Sequence, residues 1–403
     1  MLKPTGELRV RVHSYDMKTL YLDANGFGKD MVRAQTVLRG IFRQPDGSVP
    51  PPLLRRSRRV RAMYGYLHDA FAPLSYVRDW REAFVASPRL DVDVVNINNL
   101  VEYGAALARI REYDLVIVSH AASGDDMTVL RMTERLVARR RGKLVVFIGN
   151  EYDLLDDKIA FLRNASAEFV CSQLPIAAAQ YLYGEVEGTR LLEMPHALNP
   201  SLYSPQPRER SIDIGFIGDI YWPFVGDQER TLLIRHFEES NHGLRVDIQK
   251  KRIDRVEWAE YLRNTHAIIG AESGTYYLTD RGRVLQRARA YNLDTNRAAT
   301  FEDVYERFFA GVPRVDGKSI SSRHFEPIGT KTCQILLEGK YNGVLQPEVH
   351  YIAVRRDLSD VAQAVERFSD VTYRQRIVEQ AYEHTMAHHT YQKRVEKLVA
   401  LVG

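Results

Sequence analysis

The sequence predicts an α/β protein of two Rossmann-like halves, and three observations carry that prediction. Apolar strand-like runs alternate with helical segments from about residue 60 onward. A proline-rich polar stretch interrupts the alternation at Tyr203-Ser204-Pro205-Gln206-Pro207-Arg208. The chain of 403 residues is also longer than one ordinary core organises.

The composition suits a soluble globular protein, with 45% hydrophobic and 27% charged residues. A formal charge of +4 over this length gives nucleic-acid binding no support. Basic residues cluster locally at Arg55–Arg61 and Arg139–Lys143. Each cluster reads as a solvated turn or as a patch that touches anionic lipid headgroups, which would place the protein peripherally on a membrane. Cys171 and Cys333 form neither a disulfide framework nor a metal-ligand spacing, which fits a reducing cytoplasm. The N-terminus lacks a signal-peptide core, and no apolar run approaches the roughly 20 residues that span a bilayer.

Residues 1–57 read as an N-terminal extension of unknown role. Within it Leu8–Val12 alternates like a strand, Lys18–Asp23 pairs with it, and Gly47–Pro52 ends the section. The first half, 58–203, then shows strands at Ala62–Leu67, Asp91–Ile97, Tyr113–Ser119, Lys143–Ile148, Glu168–Ser172 and Arg190–Pro195. Helices are expected at Tyr76–Ser87 and through Tyr103–Ala108. The near-continuous apolar character of the strands indicates a parallel sheet covered on both faces. The second half, 204–380, begins with a strand at Ile212–Gly218 and a helix at Glu229–Phe237. Strands follow at Leu244–Ile248 and Ala267–Ala271, then an irregular polar stretch over 272–320 with one helical piece at Glu302–Phe309. A helix start is expected from Phe325 onward, with a helix placed at Thr332–Leu337, followed by short strands at Gly343–Leu345 and His350–Val354. The end is helical, with Tyr391, Val395, Leu398 and Val399 on one face.

Ligands of open α/β sheets bind beyond the C-terminal ends of strands, so the loops there hold the candidate residues. Gly218 and Asp219 follow the first strand of the second half. A glycine there admits a phosphate to the backbone, or simply makes a tight turn. The segment Ser321–Thr332 is richer. Arg323 can fork onto diphosphate oxygens, Glu326 can accept two vicinal ribose hydroxyls, and Gly329, Thr330 and Lys331 precede the expected helix start. The alternative is a Thr330 N-cap beside an Arg323–Glu326 surface pair. Glu272 and Ser273 form a plausible rest for a nucleotide base, or an ordinary loop. In the first half His120, Glu151 and Asp69 are the candidates for a general base.

From Ile212 to the C-terminus the chain resembles the donor domain of GT-B glycosyltransferases. The closest likeness is to group 1, family 4-like enzymes of the spore-maturation-protein and O-antigen/capsule type. The resemblance rests on Phe216-Ile217-Gly218 followed by Arg230, on Arg323-His324-Phe325-Glu326 with Gly329, on Glu348 with Tyr351, and on His384–Arg394. Cys171-Ser172 and the stretch from Met194 to Pro205 resemble the family's crossover between domains. The crossover glycine and aspartate are replaced by Ala197 and Asn199. The resemblance implies two Rossmann-like domains facing a central cleft, with the terminal helix, 381–403, returning to the first. It also implies a metal-independent, cofactor-free transfer of a sugar from a nucleotide-sugar donor to a glycan or lipid-linked acceptor in cell-envelope polysaccharide or lipopolysaccharide synthesis. Donor-side roles then fall to Gly218, Asp219, Arg230, Glu272, Ser273, Arg323, Glu326, Gly329, Thr330 and Lys331.

Retaining family 4 enzymes carry two glutamates eight positions apart, and here Lys318 stands eight before Glu326. Retention is the weaker part of the expectation for that reason, and a lysine there would suit a donor with negative charge. Two alternatives remain: a non-catalytic nucleotide-sugar or glycan-binding protein of the same fold, and a sugar-nucleotide epimerase or hydrolase. A dinucleotide-dependent dehydrogenase does not fit, because no strand is followed by Gly-x-Gly-x-x-Gly. Asp91-Val92-Asp93 lies in a strand and reads as structural.

Overall fold

The computed structural model describes residues 17–24, 75–124, 127–251 and 253–403. The expected strands at Leu8–Val12 and Ala62–Leu67, the basic run at Arg55–Arg61, the boundary at 57/58 and the candidate Asp69 lie outside them.

The first sheet contains β1 (Met17–Asp23), β2 (Leu90–Asn96), β3 (Leu115–Val118), β4 (Lys143–Phe147), β5 (Phe169–Ser172) and β6 (Arg190–Glu193). Its strands are all parallel in the order β2-β1-β3-β4-β5-β6. The connecting helices are α1 (Ser75–Val85), α2 (Leu100–Ala108), α3 (Thr128–Val137), α4 (Leu155–Asn164) and α5 (Ile176–Tyr183). The second sheet is also parallel, in the order β11-β10-β9-β7-β8. Its strands are β7 (Ile212–Ile217), β8 (Val246–Gln249), β9 (Thr265–Gly270), β10 (Cys333–Leu337) and β11 (Ile352–Val354). Around it lie α6 (Glu229–Glu239), α7 (Arg255–Arg263), α8 (Arg283–Ala290), α9 (Phe301–Phe308), α10 (Ser322–Gly329), α11 (Val361–Ser369), α12 (Val371–His388) and α13 (Tyr391–Val402). Both sheets are doubly wound, so each has a switch point where successive crossovers leave in opposite directions: between β1 and β3, and between β7 and β9.

Alternate residues of the first-sheet strands feed two separate cores. Leu20, Leu22, Val116, Val118 and Val146 face one layer, and Tyr21, Leu115, Ile117, Val145 and Phe147 face the other. Both faces are dry, which is why these strands read as apolar runs rather than as alternation. The second layer is closed by Trp80 and Phe84 of α1 and by Tyr391, Val395, Leu398 and Val399 of α13. The last helix therefore returns to the first domain. The chain leaves the second domain at His389–Thr390, where Leu198 N–H donates to His389 O at 2.9 Å and Tyr391 N–H donates to Leu198 O at 3.0 Å.

Four expectations need correction. Met17–Asp23 is not part of an outlying extension but an inner strand, hydrogen-bonded to β2 on one side and β3 on the other. No helix starts at Thr332: the helix is α10, ten residues earlier, and Cys333–Leu337 is the fully buried strand β10. Gly343–Leu345 is not a strand, since the chain makes a short helical turn at Tyr341–Gly343. The stretch expected to be irregular contains α8 as well as α9.

The basic run Arg139–Lys143 lies at the N-terminal end of β4, away from the cleft, and two of its charges are used internally. Arg140 donates to the Ala165 carbonyl and to Glu168 at 2.6 Å each, and Lys143 Nζ donates to Val402 O at 2.7 Å. No helix among the described residues is long and apolar enough to cross a membrane.

If α13 belongs energetically to the first domain, Leu398→Ala should cost roughly 2–5 kcal/mol there. Native-state hydrogen exchange should show that loss in the amides of β3 and β4 and leave β7 and β9 unchanged. Equal losses in both sheets would contradict this placement.

Candidate functional site

The switch point of the second sheet brings together the C-terminal ends of β7 and β9 and the start of α10. Arg323, in the first turn of α10, donates from Nη2 to the Ile217 carbonyl at the end of β7. Its guanidinium lies 4.0 Å over the Trp258 ring. A Cβ on Gly218 would come within 3.3 Å of Arg323 Nη2 and of the Phe216 ring, so the guanidinium lies close over the glycine. Asp219 follows, and its carbonyl accepts from Arg230 Nη2 at 2.8 Å. The Arg230 guanidinium stands 3.8 Å over the Tyr221 ring. Two arginines thus flank the turn after β7.

His324 fixes the start of α10 on its other side. Ser321 N–H donates to His324 Nδ1 at 3.0 Å, so that nitrogen is unprotonated and Nε2–H donates to the Ala271 carbonyl at 3.1 Å. Burial holds the His324 pKa down at about 4. The N-terminus of α10 carries the helix's partial positive charge, and Ser321 and His324 form a capping box there.

Glu326 is buried, 2% exposed, one turn after Arg323. Trp258 Nε1–H donates to its Oε2 at 2.7 Å. Its Oε1 makes no hydrogen bond within ordinary geometry, although the Ser322 and Ser75 hydroxyls face the carboxylate. Burial raises its pKa, and Arg323 opposes the rise most. Trp258 was not singled out in the sequence. Its only signal there was a tryptophan among the charged residues of a helix preceding an apolar strand.

Glu272 and Ser273 follow β9 but serve the fold. Glu272 accepts the Tyr341 N–H at 2.6 Å, and Ser273 exchanges backbone hydrogen bonds with Ser319. Lys318 is not available to a ligand's charge. Its Nζ donates to Asp227 Oδ2 at 2.5 Å with both side chains buried, so the expectation of a lysine reserved for an anionic donor fails. Gly329, Thr330 and Lys331 lie at the far end of α10, about 12 Å along an eight-residue helix. A Cβ on Gly329 would strike Tyr203 O at 2.4 Å, Thr330 Oγ1 donates to Pro327 O at 3.0 Å, and Lys331 pairs with Glu379. Gly329 packs against the crossover segment, and Thr330 and Lys331 are held within the second domain, away from the start of α10.

The first-domain candidates are also held in the fold. The Glu151 carboxylate accepts from Ser172 Oγ and Gln173 N at 2.8 Å each and from Tyr183 Oη at 2.6 Å. His120 follows β3 inside a box of rings: Tyr76, Trp80, Phe147 and His196 have centroids 5.0–5.8 Å away. Burial, reinforced by His196, pushes the His120 pKa well below its usual value. His196 falls to about 3 through burial and Arg394, and accepts from Trp80 Nε1 at 3.2 Å.

Residues 230–400 match the family model described as glycosyl transferase-like. No curated protein matches the sequence. Among solved structures, T4 phage β-glucosyltransferase aligns over 96% of this chain and 98% of its own, at 11% identity and a TM-score of 0.50. Anabaena Alr3699/HepE, solved with UDP and glucose, covers 96% and 100% at 11% identity and a TM-score of 0.47. Sucrose-phosphate synthase from Thermosynechococcus elongatus covers 96% and 98% at 13% identity and 0.47. The fold is that of the GT-B enzymes, two parallel-sheet Rossmann-like domains.

Two measurements test this site. Trp258→Phe keeps a ring under Arg323 but removes the donor to Glu326, and should destabilise the protein by about 1–3 kcal/mol. Replacing Glu326 by Gln in the Trp258→Phe protein should recover part of that loss in urea denaturation; no recovery would separate the two residues. His120 is neutral in the native state, whereas in the unfolded chain it protonates below pH about 6.5. The unfolded state then binds more protons, so stability falls as pH drops through 6.5, by about 1.4 kcal/mol per pH unit for each such histidine. Urea midpoints for His120→Phe should fall less steeply between pH 6.5 and 4.5 than those of the parent. Parallel slopes would mean that His120 is protonated in the fold.

Proposed function

We propose that the protein is a glycosyltransferase that holds a nucleotide-sugar donor in the crevice between β7, β9 and the start of α10. The observation that carries the reading is the meeting of Arg323, Gly218 and the first turn of α10 at the switch point of the second sheet. A diphosphate there would find the helix-start N–H groups, Arg323 and Arg230, with a glycine allowing close backbone approach. Glu326, with one oxygen held by Trp258, would present the other to a ribose hydroxyl.

The acceptor is a glycan or a lipid-linked glycan of the cell envelope, and transfer proceeds with retention. In that chemistry the acceptor oxygen bonds to the anomeric carbon on the face the phosphate leaves. The carbon–oxygen bond to the diphosphate breaks, and the departing phosphate oxygen takes the acceptor's proton. Arg323, Arg230 and the helix start offset the charge that develops on that oxygen. Glu151 is held by Ser172, Gln173 and Tyr183 and is not free to act as a base, which a retaining transfer does not require.

Thermal-shift measurements with UDP-, GDP-, dTDP-, ADP- and CMP-sugars test the donor, because a ligand of the native state raises apparent stability. One nucleotide class should stabilise the protein, and Arg323→Gln should weaken it by about 10- to 100-fold, as expected for a lost charge-assisted contact. Glu326→Gln should weaken the nucleoside diphosphate and leave inorganic pyrophosphate unchanged. Equal losses for both ligands would remove Glu326 from the ribose, and no response to any nucleotide would remove the donor reading.

A further inference from the structure

Three histidines, His384, His388 and His389, lie at the end of α12, and His350 joins them from the turn before β11. The chain passes between the domains here. Leu198 of the crossover exchanges backbone hydrogen bonds with His389 and Tyr391, and Arg394 Nε donates to the Pro195 carbonyl at 3.3 Å. The crossover from the first domain and the return at His389–Thr390 thus meet at one point, a hinge held from both sides.

Hydrogen-bond chemistry fixes the proton on each ring of the hinge. Arg394 Nη2 stands 2.9 Å from His389 Nδ1, and a guanidinium only donates, so that nitrogen is unprotonated and Nε2 carries the hydrogen. His389 Nε2–H then donates to His384 Nε2 at 3.2 Å. His384 therefore carries its proton on Nδ1, and its remaining partner is the Val344 carbonyl. The His350 ring stacks on His384 at 4.5 Å, and its Nδ1 accepts from Gln346 N–H at 3.1 Å. That leaves His350 Nε2–H for the same carbonyl. The relay runs one way, from a guanidinium that can only donate to a carbonyl that can only accept. A further proton has no place in it. On His389 Nδ1 it would oppose Arg394, and on His384 Nε2 it would oppose His389.

The surroundings work against a proton in the same way. Burial holds the His389 pKa down at about 3, helped by Arg394 and then by His384, His388 and His350. Burial and His384 hold His350 at about 4, and burial with His388 lowers His384. From α10 the neighbour is the Phe325 ring, 6.2 Å from His389. Arg394 feels Tyr391 and Glu193, but the Glu193 carboxylate is taken by Asn342 Nδ2 at 2.9 Å and Ile176 N–H at 3.0 Å. We propose that the relay is an acid-sensitive clasp on this hinge: proton uptake by His384 and His389 parts it and loosens the two domains. The inference does not depend on what the crevice binds. The rings are depressed in the fold, so the clasp is intact above the ordinary histidine value of about 6.5. It loses stability as the pH falls from there toward about 3 to 4.

Hydrogen exchange at pH 7 and pH 5, corrected for the intrinsic pH dependence of amide exchange, reads the clasp through the Leu198 and Tyr391 amides. Opening there should increase by roughly 25-fold for each histidine released, because a free ring takes up a proton over that range. Those two amides should also exchange faster than the amides of β3 and β9, which open only when a domain unfolds. The double variant His384→Gln with His389→Asn keeps an acceptor for Arg394 and removes both proton sites, so the increase should disappear. A second measurement needs no substitution. Nitrogen–proton NMR of the imidazoles at pH 7 should show His389 as the Nε2–H tautomer and His384 as the Nδ1–H tautomer. The opposite tautomer on either ring would overturn the proposal. So would hinge amides that exchange no faster than β3 and β9, or a pH effect that is absent in the parent or undiminished in the double variant.

Discussion

The candidate site depends on one buried contact, the indole of Trp258 against α10. A single neutral ring supports both charges of that helix: its face carries Arg323 at 4.0 Å and its N–H reaches Glu326 at 2.7 Å. Taking an arginine and a glutamate out of water costs several kcal/mol per ion unless each finds partners. Here they lie one helical turn apart, and the indole contacts both without adding a third charge. The same arginine ties α10 to β7, and His324 ties it to β9. The helix start is thereby fixed over the switch point before any ligand arrives, which is what a site for a developing negative charge requires.

Trp258 stands on α7, and so does Arg255, one turn earlier. Arg255 pairs across the domain seam with Asp79 at 2.9 Å and with Glu82, both on α1. Asp79 also accepts from Asn199 at 2.8 Å and from Ser75 at 3.0 Å, and Ser75 meets Tyr203 at 2.8 Å. Burial raises the Asp79 pKa to about 7, with Glu326 adding to the rise and Arg255 opposing it. One short helix therefore sets both the geometry of the site and the apposition of the domains. Arg255 at the domain seam and Trp258 beside Glu326 thus sit on one helix.

How much of this was legible in the sequence follows from what each element asks of its residues. β3, β4 and β9 needed only apolar runs, and those runs were visible. β1 was misplaced because Lys18, Thr19 and Asp23 interrupt its apolar residues, although Thr19 is buried and Asp23 accepts from Ser119 Oγ at 2.9 Å. α10 was displaced because Pro327 sits inside it and the β-branched and cysteine-bearing stretch after it was taken for its start. Arg323 and Glu326 stand out in sequence because their types and spacing suit a nucleotide, but Trp258, which contacts both, is distant in sequence and no local pattern announces it. Glu151 shows the opposite error. A carboxylate after a parallel strand reads as catalytic, and only three converging donors reveal it as a structural acceptor.

Lys318 shows how tertiary context decides the meaning of a substitution. By position it stands where the family 4 pattern has a carboxylate, and by charge it invites an anionic ligand. In the fold it faces Asp227 at 2.5 Å, with Glu229 at 3.9 Å and the Tyr276 ring at 5.0 Å. Its charge is spent internally, and what it accomplishes is mechanical: it joins the loop after β7 to the segment leading into α10, the two walls of the crevice. Removing either partner of such a buried pair costs roughly 3–5 kcal/mol because the other is left uncompensated. The pair thus ties the loop after β7 to the segment leading into α10, and in the proposed function a donor's negative charge would fall to Arg230, Arg323 and the start of α10.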